Sequence, residues 1–263
     1  MNWETATALR WTEILVSLAV GLQTLELLWL QLRTPLAEIW NWPDLTVEMR
    51  MPKIISSIST ALYSRVGFSI LLSLQFIIAL FLTVAPSHQA PWMLLATAVL
   101  VNGRWRGTFN GGSDSMTFVV LLGTCFSHLG EGDNLATYGL TYIGIQVILS
   151  YFVAGCAKVK NPDWWSGKEL QRYILFSNYQ APPVLKQIFQ SQTMSKILSR
   201  STIIWEVLFP LVLFFPSMTW VFLPVGLGFH LALTWVFGLN RFFWAWLASY
   251  PALLWFITHH DWL

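Results

Sequence analysis

The sequence predicts an all-α, polytopic membrane protein of about eight spans, with interfacial or re-entrant helices between them. Three observations predict it. Only 11% of the 263 residues are charged while 55% are hydrophobic, and the mean hydropathy is +0.56. Soluble domains carry roughly 25% charged residues, so this chain cannot coat a globular surface with charge. The third observation is a content of 16 tryptophans, as expected of aromatic belts at two membrane–water boundaries. Together these exclude an ordinary soluble enzyme, a disordered chain and a basic nucleic-acid-binding domain. The net charge of +2 names no partner beyond the lipid bilayer. Cys125 and Cys156 lie in apolar runs and read as small buried hydrophobes, not as a disulfide or metal framework.

Residues 1–11 lack the basic start, short apolar stretch and small-residue cleavage site of a secretory signal. The first apolar run, 14–32, is therefore expected to be a retained span. Gln23 and Glu26 within it should face the bundle, because ionisable groups are costly in lipid. Residues 33–65 carry Pro35, Pro43, Pro52 and recurring charges, and read as a loop with one or two short interfacial helices. The second span covers about 66–84 and stops at Ala85-Pro86. The third, about 92–101, is short and runs into Asn102-Gly103-Arg104-Trp105-Arg106-Gly107. The fourth covers about 115–129, before the acidic turn Gly130-Glu131-Gly132-Asp133-Asn134. The fifth runs over about 138–157, and 158–201 is the most polar stretch of the chain. Spans at about 202–215, 218–239 and 242–258 complete the set. The fourth and sixth are short for a hydrocarbon core of roughly 30 Å. No repeat or linker divides the chain, so 1–263 reads as one helical membrane domain.

Assigning alternate loops to the two sides places 14 of the 15 lysines and arginines on one side and only Arg10 on the other. A missed or extra helix would scramble that separation. The positive-inside rule then makes the basic side cytoplasmic and puts both termini outside.

The most informative segment is Tyr151-Phe-Val-Ala-Gly155-Cys-Ala-Lys158-Val-Lys-Asn-Pro162-Asp-Trp164-Trp165-Ser-Gly167. An apolar helix runs straight into Lys158, and Pro162 prevents easy continuation. Lys158 has two readings by position. It is either a snorkelling base at a helix C-terminus or a partly desolvated lysine able to act as a general base.

This segment resembles the transmembrane domain shared by vitamin K-dependent gamma-glutamyl carboxylases and their bacterial relatives, the HTTM (horizontally transferred transmembrane domain) family. The matching pattern is Tyr151, Phe152, Ala154, Gly155, Lys158, Trp164 and Gly167. The polar stretch Arg104-Trp-Arg-Gly-Thr-Phe-Asn-Gly-Gly-Ser113-Asp114 is similar to the loop before a following family helix. So are Glu206 with Pro210, Phe215-Pro216 and Phe229-His230, and then Phe237-Gly-Leu-Asn-Arg-Phe242 with Leu247-Ala248-Ser249. The likeness covers roughly 90–255. It implies that Lys158 is the catalytic base, deprotonating a quinol-type lipid in a dry pocket. In the carboxylases oxygen then yields a strongly basic alkoxide, which takes a proton from the glutamate substrate before carbon dioxide adds. The resemblance also implies a bacterial-type inner or photosynthetic membrane. Two departures stand out. Ser113 or Asp114 occupies the place of a carboxylase histidine, and the chain reaches Leu263 without the large lumenal C-terminal domain, so a quinone-related pocket is expected rather than peptide carboxylation. The eukaryotic enzyme also acts on lumenal substrates, whereas the charge count puts Lys158 at the cytoplasmic boundary.

The other pocket candidates are Arg104, Asp114, Trp164, Glu206 and His230. Glu26, Glu206 and His230 fall within predicted spans and should find partners there, and Glu206 and His230 lie on neighbouring spans. Arg104 and Arg106 with Asp114 form either an ion-pair cluster or helix-end anchors. His259-His260-Asp261 reads as a frayed tail rather than a metal site. Trp40, Trp42, Trp92, Trp105, Trp164 and Trp165 read as interfacial anchors. Three functions follow. The first is a membrane enzyme using Lys158 on a quinone or quinol. The second is a non-catalytic subunit or assembly factor that packs against the other subunits of a photosynthetic or respiratory complex. The third is a transporter, for which no paired inverted halves speak.

Overall fold

The chain's structure is a computed structural model that describes residues 4–33, 42–48, 51–104, 111–129, 133–176 and 181–259. Its regular elements are helical. They are α1 (Thr5–Arg33), α2 (Trp42–Glu48), α3 (Lys53–Leu62), α4 (Arg65–Val84), α5 (Ala90–Gly103), α6 (Gly112–Ser127), α7 (Asp133–Val159), α8 (Pro162–Trp165) and α9 (Lys168–Gln171). A π-helical turn, Arg172–Phe176, continues α9. Then come α10 (Pro183–Gln190), α11 (Gln192–Leu208), two 3₁₀ turns (Phe209–Leu213 and Pro216–Met218), α12 (Thr219–Phe237) and α13 (Asn240–His259).

Local chemistry sets the ends. The Ser64 hydroxyl caps α4 by accepting from the Gly67 amide at 3.1 Å. Pro86 disfavours helical backbone in the residue before it, and Ala85 is extended at φ −132° and ψ 135°. Asn161 caps α8, whose first residue is Pro162. Pro210 converts the end of α11 into a 3₁₀ turn. Gly238, at φ +68°, closes α12 in the left-handed conformation that glycine tolerates best.

Each of the eight predicted segments falls on a helix, but the count of about eight spans is not confirmed. Among the described residues, four helices are long and apolar enough to cross a membrane: Thr5–Arg33, Arg65–Val84, Leu135–Val159 and Pro216–Phe237. Helices α5, α6 and α11 are shorter, at 14, 16 and 17 residues, against the roughly 20 that cross a hydrocarbon core. Helix α13 is long enough, but its tryptophan, tyrosine and serine content makes it less apolar, and it is packed inside the bundle. The polar region after span one holds α2 and α3, and α3 turns Ile54, Ile55 and Ile58 outward.

Helix α13 is the hub. It packs against α1, α6, α7 and α12, while α7 also packs against α6 and α11. Small residues permit the close approaches. A Cβ on Gly144 would stand 2.7 Å from the Phe256 side chain, and one on Gly139 would stand 2.2 Å from the Gly123 carbonyl oxygen. At one end of the bundle, Trp255 Nε1 donates to Thr5 Oγ1 at 3.1 Å. At the other end, Glu26 accepts from Asn240 Nδ2 and from Arg241 Nε. Helices α4 and α12 carry the most exposed apolar faces, with Ile70, Ile77, Trp220 and Trp235 all more than 60% exposed.

Two sequence expectations are corrected. Trp42 is buried beneath Tyr63, with ring centroids 4.3 Å apart, and does not anchor an interface. Cys156 is only half-buried, unlike Cys125. Trp40, Arg50, Trp105, Arg106, the turn 130–132, His260 and Asp261 lie outside the described residues.

Candidate functional site

Helix α7 supplies the first wall of the site. Tyr151, Ala154 and Lys158 are spaced three and four residues apart, so they share one helical face. Lys158 Nζ donates to both carboxylate oxygens of Glu206 at 2.7 Å. The Glu206 side chain is only 3% exposed and that of Lys158 17%. A charge-assisted pair of this length, with both oxygens engaged, is among the stronger side-chain contacts. Gly155 makes it reachable: a Cβ there would stand 2.8 Å from the Val207 amide nitrogen and 2.9 Å from Glu206 Cβ. The Lys158 ammonium also sits 5.3 Å above the Trp164 ring, within cation–π range. Trp164 is held in turn by Ser199 Oγ, which donates to its carbonyl at 2.5 Å. Gly167, at φ +78°, lets this turn lie directly on the backbone of Ser195 and Lys196.

Deeper along α7, the Tyr151 hydroxyl meets His230 Nε2 at 3.0 Å and the Tyr250 hydroxyl at 2.9 Å. Around them aromatic rings stack. Tyr151 lies on Phe209 (4.2 Å, 29°), His230 on Trp246 (4.4 Å, 31°), and Phe242 on Trp246 (5.5 Å, 13°).

One partly open cavity of about 670 Å³ is lined by α6, α7, α11, α12 and α13. Lys158, Glu206, His230 and Tyr151 share it, and most of its remaining wall is apolar or aromatic, including Met116, Leu149, Phe242 and Trp246. Trp164 borders a neighbouring cavity of about 320 Å³ that shares Phe229 and Leu233 with the first.

Of the residues singled out by sequence, Lys158, Glu206 and His230 come together. Glu206 and His230 do not bond each other; each has its own partner on α7. Arg104 and Asp114 do not border this cavity. Arg104 lies over the Trp42 ring at 5.8 Å, and Asp114 faces Arg241 Nη1 at 3.8 Å. Glu26 joins the latter cluster through Arg241 and Asn240. His259 stacks on Trp255 at 4.8 Å.

Sequence reasoning missed Tyr250 and Trp246, which look like ordinary residues of a Trp-rich span, and quoted Phe242 only within a motif, not as a pocket residue. It also missed a second polar cluster at the far end of the bundle. There His128 Nε2 meets the buried Glu13 at 2.5 Å, His128 Nδ1 meets His88 Nδ1 at 3.1 Å, and Arg10 donates to the carbonyls of Leu82 and Thr83.

The sequence profile of the HTTM domain matches residues 122–262. The stretch contains Lys158, Trp164, Glu206, His230, Phe242, Trp246 and Tyr250, while Arg104 and Asp114 precede it. No curated protein and no solved structure matches the chain. The match covers more than half of the chain, including α7, α11, α12 and α13 of the cavity wall, and so the chain belongs to the HTTM family of integral membrane proteins.

Proposed function

We propose that the cavity takes a quinone-type lipid and that Lys158 is the base toward it. The observation that carries this reading is a charged pair, Lys158 with Glu206, set among cavity walls that are otherwise uncharged and largely apolar among the described residues. The residues present fit such a group. Trp246, Phe242 and His230 offer flat faces to a ring, and about 670 Å³ lies in the range of small-molecule pockets. A bound quinol would supply a hydroxyl proton to be removed. To accept it, the Lys158 ammonium must first pass a proton to the Glu206 carboxylate 2.7 Å away, which turns the charged pair into an amine and a carboxylic acid. The apolar wall keeps water from quenching basic groups.

Counted over the eight predicted segments as spans, the distribution of basic residues supports a cytoplasmic position for the Lys158 end, with both termini outside. The resemblance supports a bacterial-type inner or photosynthetic membrane. A second reading is a non-catalytic subunit or assembly factor of a photosynthetic or respiratory complex. One observation favours it: both oxygens of Glu206 are taken by Lys158, as in a pair that only ties α7 to α11.

The test is oxygen uptake driven by reduced duroquinone (tetramethyl-1,4-benzoquinone) in the purified protein. Lys158→Ala and Lys158→Arg should abolish uptake above the no-protein rate while helix content stays unchanged. Uptake that survives in folded Lys158→Ala removes the base assignment. An inert wild-type protein, with Lys158 needed only for co-purification with other subunits, selects the second reading.

A further inference from the structure

Residues 159–200 carry six bases and two acids, a net charge of +4 in a chain whose total is +2. Both acids, Asp163 and Glu169, pair with one base, Arg172, at 2.9 Å each. Lys160, Lys168, Lys186, Lys196 and Arg200 are left without a carboxylate partner among the described residues, and all but the half-buried Lys186 are exposed.

This stretch folds as one cap. Ile174, Ala181 and Phe189 form its small core. Gln171 Nε2 donates to the Phe189 carbonyl at 2.8 Å, and Ser199 Oγ and Arg200 Nε donate to the carbonyls of Trp164 and Trp165. Two of the membrane-long helices fix its depth. One ends at Val159, where the cap begins, and the other ends at Phe237, which packs against the cap's core. The cap therefore lies level with the ends of both helices, where headgroups meet acyl chains. Its exterior is not one that water alone would favour. Tyr173, Phe176, Val184 and Ile188 are between 38% and 79% exposed. On α10, Leu185 and Phe189 pack on the cap's core, while Val184 and Ile188, four residues apart, share the outer face. A second apolar face beside basic side chains is the pattern of a helix lying in a membrane interface.

We infer that the cap is a docking surface for anionic phospholipids, its exposed apolar side chains entering the acyl region and its unpaired bases taking the phosphate headgroups. The charge selects the occupant. A zwitterionic headgroup brings as much positive charge as negative, whereas an anionic one supplies the counter-charge that five bases lack within the cap. The long stems of lysine and arginine let the charged ends reach the headgroups while the apolar face stays in the bilayer. The cap also carries Trp164, whose ring lies 5.3 Å from the Lys158 ammonium, so a lipid that seats the cap also steadies this neighbour of the Lys158–Glu206 pair. The inference does not depend on what the cavity binds.

The experiment uses the full-length protein in phosphatidylcholine bilayers that contain a trace of spin-labelled phosphatidylglycerol or phosphatidylcholine. The motionally restricted fraction of each label gives its relative affinity for the protein surface. Wild-type protein should prefer phosphatidylglycerol, and the preference should shrink in high salt. Lys160→Gln/Lys168→Gln/Lys186→Gln/Lys196→Gln should lower it by about fivefold or more, since one base near an anionic surface is worth about fivefold. Lys160→Gln/Lys196→Gln serves if the fourfold variant does not fold. Lys53→Gln/Arg65→Gln, outside the cap, should lower it less. No preference in wild type, no loss in the cap variants, or an equal loss in Lys53→Gln/Arg65→Gln overturns the inference. The second readout is a nitroxide placed by Val184→Cys in protein lacking Cys125 and Cys156, with Ile188→Cys as the alternative site. It should be more accessible to oxygen than to a water-soluble nickel chelate. The reverse order puts the apolar face in water, which overturns the lipid seat in favour of an acidic protein partner.

Discussion

Replacing Lys158 with methionine should destabilise the protein, and replacing Glu206 at the same time should restore most of the loss. In the single variant a carboxylate whose side chain is 3% exposed loses both of its 2.7 Å donors. Breaking a buried ion pair from one side costs about 3–5 kcal/mol. The 17% exposure of Lys158 and the open cavity beside it favour the lower end, about 3 kcal/mol. For a chain of this size each kcal/mol is worth roughly 2–4 °C, so the midpoint should fall by roughly 6–12 °C. The Lys158→Met/Glu206→Leu double variant removes both charges and keeps apolar volume. Such replacements are commonly neutral or stabilising, so it should return to within about 1 kcal/mol of wild type. Thermal unfolding in detergent, followed by far-ultraviolet circular dichroism, measures all four corners of the cycle. Additive losses, with the double variant at the sum of the singles, would refute the pairing argument.

Further outcomes follow from the same packing. Gly155→Ala should force α7 and α11 apart and lower stability by about 1–3 kcal/mol, the usual cost of overpacking, read as a lower thermal midpoint. Trp164→Ala should cost about 0.5–2 kcal/mol through its contact with the Lys158 ammonium, and Lys158→Met should make that loss disappear. Glu13→Ala should loosen the far end of the bundle, where His128 and Arg10 lose their common partner, and hydrogen exchange should rise at the start of α1 and the end of α4. Arg172→Ala, by contrast, should leave the midpoint unmoved, since its pairs with Asp163 and Glu169 are solvent-exposed.

Much of the helix layout was legible, because apolar runs and prolines are local signals. Pro86 and Pro210 stand where α4 and α11 end, and Lys158 stands at the end of α7 as its neighbours imply. The pairing of helices was not legible. Glu206 lies 48 residues beyond Lys158, and Tyr250 99 residues beyond Tyr151. Periodicity orders the faces of one helix but says nothing of which helix each face meets. Asp114 shows the limit sharply. Its neighbours Ser115 and Met116 border the cavity, but successive helical residues turn about 100°, and Asp114 looks instead toward Arg241.

The central position of α13 bears on how the protein is made. This helix follows the other described helices in the chain, yet it covers α1, α6, α7 and α12. Synthesis is vectorial, so the earlier helices enter the bilayer before their covering surface exists. Glu26 then waits for Asn240 and Arg241, and Tyr151 waits for Tyr250. Until residue 259 has emerged, these polar groups face lipid or provisional partners. Insertion should thus end in one late closing event, and a nascent chain stalled before residue 240 should be held by membrane chaperones or degraded.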